Sequence, residues 1–269
     1  MPGPGRSRKG GKKPSKATDA KSTLTISRQA YLELLAKTDD WPGILVLTYH
    51  HFGIPDLYTK SGFKKIHEDF EGVCSRLDAA YSAFPRHEKV LGSIALIYGY
   101  MCSDGILKAK ILNEKLIRRL LPLIEMEFCR LVVLQTLVVV TNSADPSLKA
   151  LVAQEASSLV KILTCRPQDP TLVDAAIILL SEVVPALLTA KQTPAAKSSR
   201  RIDIPSQLKE VMGASKEKGT SSYALSFIPM LLHPICELDR AAALGNPMVP
   251  RFLVACLRNK DWIIRVLLE

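Results

Sequence analysis

From residue 26 onward the apolar positions recur at steps of three and four, the spacing of one face of an α-helix. Ile26, Ala30, Tyr31, Leu34 and Leu35 form a first stripe, which stops at Asp39-Asp40-Trp41-Pro42. Ser61 is placed to cap a longer helix whose stripe reads Phe63, Ile66, Phe70, Val73, Cys74, Leu77, Tyr81 and Phe84, with Pro85 as its end. Residues from about Arg86 to Met101 are apolar nearly all round, which predicts a central, enclosed helix. Two more stripes follow, Ile106–Leu121 and Leu123–Val140. The second contains a run from Leu131 to Val140 rich in β-branched residues, as in a buried strand. It continues a helical stretch and has no second strand to pair with, so the pattern predicts helix.

An internal echo adds organisation. Asp145-Pro146-Ser147-Leu148 recurs as Asp169-Pro170-Thr171-Leu172, 24 residues later, and Ser157, Leu159-Val160 and Leu163 recur as Ser181, Val183-Val184 and Leu187. Asp before Pro is a helix start: the carboxylate accepts from the first-turn amides, and proline sits where no donor is needed. One helix and its turn then occupy 24 residues, and a helix pair about 48, near the ~40–47 residue period of HEAT and armadillo repeats. Two capped helices that match by coincidence are the alternative.

Residues 191–220 interrupt the stripes with Lys, Ser, Pro and Ala, around a short helix near Pro205–Met212. Stripes return at Tyr223–Leu232, Ile235–Leu244, Val249–Leu257 and Trp262–Leu268. The expected organisation is a basic tail over 1–23, a helical-repeat region over 24–190, a loop over 191–220 and a continuation of the array over 221–269. The all-α class follows, as a solenoid of stacked helix pairs.

Composition narrows the function classes. With 47% hydrophobic and 23% charged residues the 269-residue chain has globular proportions, and with 6% aromatics its core must be built from aliphatic side chains. The net charge of +10 is unevenly spread. Residues 1–22 hold seven basic groups against Asp19, hence +6, which leaves +4 for everything after. That tail, rich in Gly, Pro, Ser and Lys, has almost nothing to bury and is expected to be disordered. Arg6, Arg8, Lys9, Lys12, Lys13 and Lys16 are its candidate contacts to a polyanion or an import receptor. The tail lacks the apolar core of a secretory signal, and no stretch of 18 apolar residues marks a membrane span. Six well-separated cysteines among apolar neighbours read as core thiols of a reducing compartment, so the expected location is intracellular, nucleus or cytoplasm.

The residues at the C-terminal end carry a family resemblance. Phe252 to Leu268 resembles a HEAT or armadillo unit crossing its internal turn, with Asp261 at the corner and Ile264-Arg265 opening the next helix. The wider texture resembles fungal helical-repeat proteins that carry a MYND-type zinc finger, but no Cys-x-x-Cys occurs, so the zinc module is missing here. The crowded apolar segment Trp262–Leu268 suggests an array cut short before its end is covered. On that reading the chain is expected to self-associate through this end.

No catalytic or metal constellation emerges, and no cofactor is expected. His67 and Cys74 lie two turns apart on one stripe, and His50-His51 diverge on a helix. The doublets Lys64-Lys65, Arg118-Arg119 and Arg200-Arg201 are too ordinary to define a nucleic-acid groove. The expected function is therefore a non-enzymatic scaffold that offers a helical-repeat surface to a protein partner. The alternative is a nucleic-acid-associated protein that binds through its basic tail.

Overall fold

The computed structural model describes residues 26–59, 61–155, 158, 159, 162 and 169–190. The basic tail, the 191–220 loop and the C-terminal stripes, with Asp261 and Arg265, lie outside the described residues, as does the predicted self-associating end. Within them the chain is helical, with no strand. We number the helices α1 (Arg28–Lys37), α2 (Trp41–Phe52), α3 (Gly62–Glu68), α4 (Phe70–Ala83), α5 (Glu88–Ser103), α6 (Gly105–Ile111), α7 (Glu114–Leu120), α8 (Arg130–Thr141), α9 (Pro146–Ala153) and α10 (Pro170–Ala190). A 3₁₀ turn over Leu121–Glu125 follows α7, with Pro122 in it.

The enclosed helix expected near residues 86–101 is α5, in which every residue from Val90 to Cys102 is buried except Leu96 and Tyr100. The β-branched run is helix α8. Its threonines are satisfied inside the helical layer: Thr141 donates to the Leu137 carbonyl, and Thr136 donates across to the Ala95 carbonyl of α5.

The first stripe stops as expected, with α1 ending at Lys37. Trp41-Pro42 also opens a helix the pattern did not show, α2, with Asp40 accepting from the Gly43 amide and proline lying in the first turn, where it removes no bond. Two expectations need correction. The long helix expected from Ser61 is two helices, and Ser61 makes no side-chain cap. They break at Asp69, whose carboxylate turns back over Gly72, where a β-carbon would clash, and accepts from Arg76 Nη2 at 2.7 Å. The stripes over 106–140 are likewise divided: Asn113 caps a new helix start at Glu114 inside the first, and α8 begins only at Arg130 inside the second.

The four helices α2, α5, α8 and α10 pack in that order, and the main contacts among them join successive members only. The other helices pack against these four: α1 on α2, α4 on α5 and α2, α7 on α8 and α9, and α9 on α10. The contact of α5 with α8 is parallel. A β-carbon on Gly92 would stand 2.7 Å from Cys129 Cβ, and one on Gly99 3.2 Å from Thr136 Oγ1. Both pairs are 37 residues apart in sequence, so the two chains advance together. A buried hydroxyl chain ties α1, α2 and α5: Tyr31 to Thr48 at 3.0 Å, and Thr48 to Ser93 at 3.0 Å.

Candidate interaction surface

A helix with a neighbour on each side and a cover behind it has one open direction left. Among the described residues α5 and α8 have a neighbour on each side, whereas α2 and α10 have one each. On α2 the exposed positions are Pro42, Val46 and His50, and on α8 they are Gln135, Val139 and Asn142. On α5 the least enclosed positions are Leu96, Tyr100 and Ser103, and on α10 Asp174, Ile178 and Pro185, with Glu182 beside them turned to Lys149 of α9 at 3.0 Å. Each set is spaced at three, four or seven residues, so each is a single strip. Val46 is 41% exposed and Val139 37%, high for branched apolar side chains on otherwise buried helices.

Basic side chains of the described body are used largely inside the structure. Lys89 Nζ donates to the carbonyls of Leu35 and Thr38 at the end of α1 and to Asp39 Oδ1, and stands over the Phe128 ring. Lys108 does the same for the end of α8, donating to the Val139 and Asn142 carbonyls. Arg28 donates to the Ala83 carbonyl and lies over Phe84. Of the doublets, Lys64 pairs with Glu68, Arg118 with Glu114 and Arg119 with Asp78, while Arg200-Arg201 lies outside the described residues.

Asp78 is the densest polar junction. It accepts from Arg119, from Lys115 at 3.0 Å and from Tyr98 at 3.4 Å, joining α4, α7 and α5. The Arg119 hydrogen bond holds its carboxyl below the usual range, outweighing burial, which acts the other way, with the Lys115 hydrogen bond adding to the lowering.

His51 and His67 make contacts within the fold. His51 stacks on Tyr31 at 4.1 Å and bonds the Ile26 carbonyl, while His67 Nε2 lies 3.2 Å from Asp104. Burial lowers the His87 pKa. Among the described residues no group of three or more His, Cys, Asp or Glu is placed to hold a metal ion, and no helix is long and apolar enough to cross a membrane. Cys74, Cys102 and Cys129 are free thiols, all raised in pKa chiefly by burial.

The echo residues open two helices that pack on each other, α9 after Asp145-Pro146 and α10 after Asp169-Pro170. Their caps differ: Asp169 Oδ1 accepts from the Thr171 amide at 2.9 Å, whereas Asp145 makes no side-chain cap. The 24-residue interval also holds more than one helix and a turn. α9 ends at Ala153, and helix returns at residues 158, 159 and 162. Arg6, Arg8, Lys9, Lys12, Lys13 and Lys16 lie outside the described residues.

What the sequence reading missed is the open strips, together with a tyrosine cluster at the ends of α2 and α5. Tyr58 and Tyr100 share a hydroxyl–hydroxyl bond of 2.9 Å across 42 residues, a pairing that has no periodic signal. Comparison of the chain with protein-family models, curated proteins and solved structures finds no match.

Proposed function

We propose that this chain is a non-enzymatic protein-interaction scaffold, an α-solenoid of the HEAT or armadillo kind whose stacked helices offer their open strips to a protein partner. The carrying observation is the one-sided exposure of α2, α5, α8 and α10. The spacing supports it. These helices begin at Trp41, Glu88, Arg130 and Pro170, so successive starts are 47, 42 and 40 residues apart, close to the ~40–47 residue period of such repeats. Other helices return the chain between them, as a solenoid of parallel inner helices requires. Kinship with fungal MYND-finger proteins rests on sequence texture alone.

The test is photocrosslinking with benzoylphenylalanine at Val46, Gln135 and Ile178 of the full chain, against Ser75 and Ala79 on the covering helix α4. The reading expects one discrete adduct from the strip positions and none from α4. Equal adducts from both faces would overturn it.

The second reading keeps one specific support, the +6 charge of residues 1–22. Binding of DNA or RNA that is lost on deleting this tail, and that falls steeply with salt, would favour it over the scaffold.

A further inference from the structure

The chain leaving α2 turns sharply before α3. Gly53, at φ +61°, closes α2 in a left-handed conformation, and the Ile54 amide bonds the Tyr49 carbonyl at 2.9 Å. Asp56 then organises the next turn: its Oδ1 accepts from the Tyr58 amide at 2.8 Å, and its carbonyl accepts from the Thr59 hydroxyl. Gly62 closes on the same carbonyl, with which a β-carbon would collide. The turn therefore fixes the backbone at Tyr58, while the side chain stands 54% exposed. Its hydroxyl meets that of Tyr100 of α5 at 2.9 Å, and the two ring centres are 5.5 Å apart with the planes at 68°.

This pair differs from the other tyrosines. Tyr31, Tyr49 and Tyr98 are buried, and the half-buried Tyr81 donates its hydroxyl to the Arg119 carbonyl. Among the described residues no other two tyrosine hydroxyls share a hydrogen bond. With the hydroxyls in contact and the ring centres so close, the ring carbons beside the two hydroxyls are a small side-chain rotation from meeting. Tyr58 has solvent in which to make that rotation, and Tyr100 is itself only half-buried. The thiol nearest in sequence, Cys102, is buried, and burial pushes its pKa up, which keeps it a thiol and slow to take an oxidant.

We infer that Tyr58 and Tyr100 are a site of oxidative cross-linking, at which hydrogen peroxide acting through a haem peroxidase joins the two rings as dityrosine. Each phenol gives one electron to the peroxidase and its hydroxyl proton to water. The two phenoxyl radicals then pair their electrons in one carbon–carbon bond between ring carbons beside the hydroxyls. Each of those carbons loses its hydrogen as a proton and each oxygen takes one back, so both phenols are restored. The two electrons and two protons released reduce one peroxide to two waters. The new bond joins positions 42 residues apart and ties the turn after α2 to α5. Like a disulfide, it restricts the unfolded chain and so stabilises the fold. Nothing in the site needs a partner, so it stands apart from the scaffold reading.

The experiment treats the full chain, at low concentration, with hydrogen peroxide and a haem peroxidase, and takes the monomer fraction. That monomer is expected to show dityrosine fluorescence, a mass lower by two hydrogens, and a peptide pair that tandem mass spectrometry assigns to Tyr58 and Tyr100. Tyr58→Phe and Tyr100→Phe should each lose the product. Tyr98→Phe, on the same helix as Tyr100, should keep it. In urea that unfolds the chain, the preference for this pair should disappear, because it comes from the fold. The cross-linked monomer should unfold at higher urea than Tyr58→Phe treated in the same way. A native monomer without the cross-link, a product that survives either the Tyr58 or the Tyr100 variant, or the same pair in equal yield from the unfolded chain would overturn the site. An unraised urea midpoint would overturn the stabilising bond.

Discussion

A β-carbon on Gly92 would stand 2.7 Å from the β-carbon of Cys129, at the start of α8, and would also collide with the Trp41 ring at the start of α2, which lies against Phe128. A single missing side chain thus sets how closely three stacked helices approach. Gly92→Ala gains helix propensity of about 1 kcal/mol but must push both neighbours apart, a typical overpacking cost of ~1–3 kcal/mol. Gly99→Ala meets only Thr136 Oγ1 at 3.2 Å, where a hydroxyl can shift. Urea unfolding should show Gly92→Ala clearly destabilised and Gly99→Ala within ~0.5 kcal/mol of the native chain.

Lys89 should prove a structural lysine. Its side chain is only 16% exposed, and its ammonium satisfies the last carbonyls of α1 as well as Asp39. Lys89→Met keeps the apolar stem and loses the donors, and should cost about 2 kcal/mol, the scale of hydrogen bonds to a charged group. Thermal unfolding checks this. The exposed ion pair of Lys64 with Glu68 gives the control, because Lys64→Met should change stability by less than ~0.5 kcal/mol.

Asp78 predicts an acid limb. Its carboxyl titrates lower in the folded chain than in the unfolded one, so it contributes stability above the unfolded carboxylate pKa. That contribution is lost as pH falls through the folded value. The side chain is 37% exposed, so solvent screening limits it to about 1 kcal/mol. Asp78→Asn should therefore lower the melting temperature near pH 7 and flatten its fall between neutral and acid pH. Parallel curves for the two proteins would contradict this.

Much of this architecture was readable from periodicity, and the failures have physical causes. α5 was legible because a helix apolar on every side has to be central, and α8 because its β-branched run had no partner strand. α2 was not, since Trp41-Pro42-Gly43 resembles a stop. Only the Asp40 carboxylate on the Gly43 amide shows it to be a start. The break at Asp69 was hidden because the apolar stripe runs through it unaltered from Ile66 to Val73. The strips were invisible for a different reason: Val46 and Val139 have the residue type of a core, and only the packing of neighbours reveals which valines are left outside. Tyr58 and Tyr100 meet by tertiary folding alone.

Because those strips are already in solvent, charge placed on them should spare the fold. Val46→Glu combined with Val139→Glu should leave the urea midpoint nearly unchanged, within ~0.5 kcal/mol for exposed positions, yet abolish the crosslinked adduct from Gln135. A double variant that unfolds would mean these valines are core.

The central claim is the order of the stacked helices, and a distance measurement between their open strips tests it most directly. Spin labels carried on p-acetylphenylalanine at Val46, Gln135 and Ile178 leave the native cysteines in place. Successive helices stand 8–10 Å apart, so Val46 to Gln135 spans two steps, roughly 20 Å, and Val46 to Ile178 three steps, roughly 30 Å, before the label tethers are added. Pulsed dipolar spectroscopy should find the second distance longer than the first by about one helix spacing. If Val46 and Ile178 lie as close together as Val46 and Gln135, or closer, the helices close into a bundle and the stacked array is contradicted.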